Sequence, residues 1–114
     1  MELLIAWLVY ALAIAISAYL LPGVTLSGFG AALIVAVVLG LINAFIKPLL
    51  VLLTLPVNIL TLGLFIFVIN AVLILATSAF VPGFKVDGFW WALLFSFILA
   101  IVSAILFSLV DEAA

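Results

Sequence analysis

Charge is almost absent along this chain, and that constrains its fold more than any motif does. From Leu3 to Phe84 the sole charged side chain is Lys47, and Gly88 to Val110 carries none. With 74% of its 114 residues hydrophobic, a soluble domain of this size could not hide its apolar surface from water. Leaving that surface wet would exceed the apolar patches that soluble monomers tolerate, so lipid is the expected solvent. Pro, Gly, Asn and the rare charges leave four apolar stretches, at about 3–21, 29–46, 60–80 and 89–110. Each is long enough to cross ~30 Å of hydrocarbon at ~1.5 Å per residue. Met1 to Gly23 reads as the first span rather than a cleavable signal, because Glu2 stands where a basic residue would be expected and the apolar run is long.

Composition removes several function classes. No cysteine means no disulfide, thiolate ligand or thiol nucleophile, and no histidine removes the commonest proton shuttle and metal ligand. Two lysines make no basic patch for nucleic acid. Ser17, Ser78 and Ser103 have no base to activate them, and no carboxylate lies within a span. Neither an enzyme nor a cofactor or metal site is expected; the expected partner is the bilayer, with a homo-oligomer as a further possibility.

Sliding the sequence against itself brings Pro22-Gly23 and Gly28-Phe29 onto Pro82-Gly83 and Gly88-Phe89 at an offset of 60. Greasiness alone does not align Pro, Gly, Gly and Phe in one register. The chain therefore reads as a single membrane domain, 1–114: an all-α integral membrane protein of four transmembrane helices. It is organised as two tandem helical hairpins, 1–46 and 60–114, joined by a kinked or interfacial segment, 47–59, containing Pro48 and Pro56. A repeat of two spans enters the membrane from one side each time, making the copies parallel. Both Pro-Gly loops then share one face and the termini the other. Lys47 and the amino terminus against Lys85 place the termini in the cytoplasm.

Ala32, Ala36, Gly40 and Ala44 recur at every fourth position of the second span, and Ala92, Ser96, Ala100 and Ala104 do so in the fourth. Small residues at this spacing let helix backbones approach closely in lipid, either within one chain or between copies. In the loops, Ser27 and Asp87 are expected as N-caps of the following helices, after the helix-ending Pro22-Gly23 and Pro82-Gly83. The triplets Val24-Thr25-Leu26 and Phe84-Lys85-Val86 look extended, and by hypothesis pair as a short ribbon across a pseudo-two-fold axis. Phe84, Phe89, Trp90 and Trp91 are expected to form an interfacial aromatic belt. Asn43, Asn58 and Asn70 need partners at membrane depth, as inter-helix hydrogen bonds or as the lining of a water-filled pathway, and Lys47 is expected to snorkel toward the interface.

The run Pro22-Gly23 through Gly28-Phe29, with Leu39-Gly40-Leu41-Ile42-Asn43-Ala44-Phe45-Ile46-Lys47-Pro48, Leu53-Thr54-Leu55-Pro56, Leu60-Thr61-Leu62-Gly63, Ile69-Asn70-Ala71, Pro82-Gly83-Phe84 and Asp87-Gly88-Phe89-Trp90, resembles the four-helix membrane proteins of phage holin superfamily IV. The resemblance covers nearly the whole chain and implies a small bacterial inner-membrane protein. Three readings follow: a holin-like oligomer that permeabilises the membrane, an accessory protein acting through partners, and a small transporter. The last is disfavoured because no intramembrane charge is offered for coupling.

Overall fold

A computed structural model describes residues 2–61 and 63–113. In chain order these form α1 (Glu2–Leu20), β1 (Val24–Leu26), α2 (Phe29–Leu41), a π-helical turn (Ile42–Ile46), α3 (Lys47–Leu53), α4 (Leu55–Leu60), α5 (Leu64–Phe80), β2 (Phe84–Val86) and α6 (Phe89–Ala113). Three helices are long and apolar enough to cross a membrane: Glu2–Leu20, Phe29–Leu53 and Phe89–Asp111. The fourth apolar helix, α5, has 17 residues, a rise of roughly 26 Å, somewhat short of a full hydrocarbon core.

The second span runs further than the sequence suggests, to Leu53 rather than Ile46. Pro48 lies at the start of α3 and cannot donate to a carbonyl one turn back. The wide π turn over Ile42–Ile46 absorbs the mismatch, and the helix continues through the proline. The break comes at Thr54 instead, whose backbone (φ −102°, ψ 15°) leaves the helical region before Pro56 opens α4. The segment 47–59 is thus divided, its first part extending α2 and its second forming a separate short helix.

The two loop triplets do pair. β1 and β2 are antiparallel, with Val24 opposite Val86, Thr25 opposite Lys85 and Leu26 opposite Phe84. The ladder extends symmetrically beyond them: the Ser27 amide donates to Gly83 O at 2.8 Å and the Asp87 amide to Gly23 O at 2.9 Å. Val24 and Phe84 point into the helices while Thr25 and Lys85 face outward, so the ribbon lies across one end of the bundle. The start of α1, the α3–α4 connection and the end of α6 consequently lie at the other end.

Within the bundle α1 packs between α2 and α6, and α5 packs on α6 and more briefly on α2. The core is concentrated beneath the ribbon, where Ile14, Val35, Phe84 and Phe95 are essentially inaccessible. The rings of Phe84 and Phe95 meet with centroids 5.6 Å apart. Ser17 and Thr77, 60 residues apart, are also fully buried. Each satisfies its hydroxyl within its own helix, on Ala13 O at 2.7 Å and Leu73 O at 2.8 Å. Outside, exposed Leu, Ile, Val and Phe cover the helices, as lipid-facing surfaces require.

Two expectations about the loops are corrected. Gly28, not Ser27, occupies the N-cap of α2 and no side chain caps it; the Ala32 amide bonds Gly28 O, and the Ala92 amide bonds Gly88 O in the same way. The backbone of Ser27 and Asp87 is committed to the ribbon ladder, which places the helix start one residue later. Phe84 is not interfacial: alternation along β2 turns it into the core, while Trp90 stays outside, in edge-on contact at 5.6 Å with Phe89, which is itself partly buried against the core. The largely exposed Tyr19 and Phe80 accompany them at the ribbon end. Trp91 lies against Gly23, where a side chain on residue 23 would overlap the indole ring.

Candidate functional site

Below the sealed core the helices separate around a polar cavity of about 170 Å³, lined by Tyr10, Asn43, Lys47, Asn70, Ser96 and Ser103 together with Leu39, Ile74, Leu99 and Ala100. Every side of the bundle contributes. α1 supplies Tyr10, the π turn Asn43, α3 Lys47, α5 Asn70 and α6 the two serines. Asn43 belongs to the widened turn that Pro48 imposes, so the proline sets the approach of both Asn43 and Lys47 to the cavity.

The hydrogen bonds leave this cavity rich in donors. Asn43 Nδ2 donates to the Tyr10 hydroxyl at 3.4 Å, leaving the phenolic proton free to donate onward. Ser96 and Ser103 give their protons to Leu93 O and Ala100 O, at 2.8 and 3.3 Å, and present oxygens as acceptors. Asn70 makes no hydrogen bond to a described side chain, and Lys47, half-buried at the wall, has no charged neighbour among the described side chains. The lysine is the sole cation of the lining.

Six of the ten lining residues fall into pairs at the 60-residue offset: Tyr10 with Asn70, Asn43 with Ser103, Leu39 with Leu99. These pairs are shared between α1 and α5, the π turn and α6, and α2 and α6. Lys47, Ile74, Ser96 and Ala100 have no partner in the lining, and the position 60 residues beyond Lys47 holds Phe107. Toward the ribbon the cavity ends at the closed layer of Ile14, Val35 and Phe95.

Three of the four polar residues singled out in the sequence, Asn43, Lys47 and Asn70, thus meet in one place. Asn58 does not join them. It is buried in α4, where its Nδ2 donates to Thr54 Oγ1 at 3.1 Å and its Oδ1 has no partner. Tyr10, Ser96 and Ser103 do not stand out in the sequence as cavity residues; for Tyr10 and Ser103, their positions 60 residues from Asn70 and Asn43 are the signal available. The small-residue stripes behave alike. Ala32 and Ala36, and Ala92 and Ser96, are buried near the ribbon, whereas Ala44, Ala100 and Ala104 are exposed and Gly40 is partly so. The stripes pack helices at one end of the bundle and face outward at the other.

Residues 1–105 match the family model described as mycobacterial 4 TMS phage holin, superfamily IV. The chain is 43% identical over 91 residues to the uncharacterized membrane protein YvlD of Bacillus subtilis (strain 168), covering 79% of this chain and 76% of that one. It is likewise 43% identical over 101 residues to the uncharacterized protein SCO3922 of Streptomyces coelicolor, covering 80% and 81%. No solved structure matches the chain. Given the match along nearly its whole length and its bundle of long apolar helices, the chain belongs to the four-transmembrane-segment phage holin superfamily IV.

Proposed function

We propose that this protein is a non-conducting binding or accessory protein of the bacterial inner membrane, built from two parallel helical hairpins, with its termini in the cytoplasm and the ribbon on the far side. The observation that carries this reading is the blind cavity. A pore within one chain would need a polar path from end to end, whereas the polar lining stops beneath a layer of fully buried apolar residues. The duplication is supported by the matching ends of α1 and α5 and the matching starts of α2 and α6, each 60 residues apart. The self-symmetric ribbon register supports it further, since a parallel repeat related by an axis along the membrane normal places its two loops at one face.

A permeabilising oligomer is the second reading, and one observation favours it. The outward ends of the small-residue stripes, at Gly40, Ala44 and Ala104, offer close contact between copies. Against it, the remaining outward face is overwhelmingly apolar, which gives an assembled pore little polar lining. Proteoliposomes loaded with a self-quenching dye distinguish the two. The non-conducting reading expects release no faster than from protein-free vesicles at any protein density; release that grows steeply with density would replace it with the oligomeric pore.

A further inference from the structure

A second space adjoins the polar cavity. An apolar groove of about 810 Å³ runs along the outside of α1, α2 and α6, lined in part by Leu3, Trp7, Tyr10, Gly40, Leu41 and Phe107. Tyr10 lines both spaces. On α2 and its π turn, Gly40 of the groove precedes Asn43 of the cavity by less than one turn, and on α6 Ser103 of the cavity precedes Phe107 of the groove by about one.

We propose that the two spaces form one site for a single anionic phospholipid, with its phosphate at Lys47 and an acyl chain in the groove. The proposal rests on the binding reading above. The groove accepts hydrocarbon because its lining is almost wholly apolar, and Gly40 leaves it open. The cavity is smaller than the ~300–1,000 Å³ of drug-sized ligand pockets, but accommodates several water-sized groups at ~30 Å³ each, the scale of a phosphate with its waters. Its free donors are the Lys47 ammonium, the Asn70 amide and the Tyr10 hydroxyl, which suit an anionic acceptor at the polar end of an apolar ligand. Hydrocarbon contact alone would hold any phospholipid; the lysine supplies preference for net negative charge.

The test uses the full chain, delipidated and offered equimolar phosphatidylglycerol and phosphatidylcholine with identical acyl chains, read by native mass spectrometry. One phosphatidylglycerol per chain is expected to be retained, about fivefold in excess of phosphatidylcholine. Lys47→Gln removes the preference, while Lys85→Gln on the outer face of the ribbon leaves it intact. Gly40→Leu, whose side chain enters open space in the groove, lowers retention of both lipids without unfolding the chain. Equal retention of the two lipids by the wild type would overturn the proposal. So would the same loss in Lys85→Gln as in Lys47→Gln, occupancy by inorganic phosphate in place of lipid, or a dimer closed over Gly40 that excludes lipid. Dye release would refute the non-conducting reading without altering this preference, so the two failures are distinguishable.

Discussion

Gly23 and Gly83 show how single residues hold the ribbon to the bundle. At Gly23 the constraint is space: a Cβ would enter the Trp91 indole. At Gly83 it is also conformation, because its φ of 87° lies in the left-handed region and the Ser27 side chain crowds the position. The two Pro-Gly loops therefore need glycine for different reasons. Gly23→Ala is expected to destabilise the protein by about 1–3 kcal/mol, the usual cost of overpacking a filled site. Denaturant titration in detergent micelles measures it, and a much smaller cost in a Trp91→Ala background would show that the indole is the obstacle.

At the scale of elements, a cross-strand ribbon of three residues per strand would be marginal alone in water, and here the bundle end supports it. Val24 and Phe84 reach into the core from opposite strands, so the ribbon ties both Pro-Gly loops and the four long helices that enter and leave them into one cap. Directly opposed residues of an antiparallel pair have Cα atoms ~4.5–5.5 Å apart, within the ~4.4–6.8 Å that a disulfide spans. The chain has no native cysteine, so a Thr25→Cys/Lys85→Cys double variant is expected to form one intramolecular disulfide, seen as a two-dalton mass loss that reductant reverses. Failure to close under mild oxidation would contradict the register. The π turn is the other device at this scale. It lets α2 pass Pro48 without ending, and it turns Asn43 toward Tyr10.

For the molecule as a whole, the closed core separates the polar cavity from the ribbon end. That asymmetry makes the two ends of the bundle chemically different. If the termini are cytoplasmic, as proposed, cysteines at positions 25 and 85 are expected to react with an impermeant maleimide on intact spheroplasts, and Leu53→Cys only after lysis. Labelling of residues 25 and 85 from opposite sides would refute the parallel arrangement, and labelling of all three in reverse would invert the orientation. The small-residue stripes carry the same asymmetry, buried near the ribbon and outward at the cavity end. The polar cavity and the groove lie on the side of the buried core away from the ribbon.

The sequence by itself determined the solvent, the long apolar helices and the alignment of the two Pro-Gly loops at a 60-residue offset, because these depend on local content: uninterrupted apolar length, the absence of charge and the positions of proline and glycine. It suggested that the loop triplets were extended and could pair, but their register follows from the meeting of two segments 60 residues apart. It misplaced Phe84 and the caps at Ser27 and Asp87, since both follow from which way the ribbon faces once it docks, and pairing consumes backbone groups that an isolated loop would leave free. The site was half legible: Asn43, Lys47 and Asn70 stand out because polar groups are rare in an apolar chain, while Tyr10, Ser96 and Ser103 look like ordinary span residues. Only the tertiary structure joined these six and left Asn58 apart, because the cavity depends on helix rotation and on the turn widened ahead of Pro48, and no local pattern encodes how four helices rotate against one another.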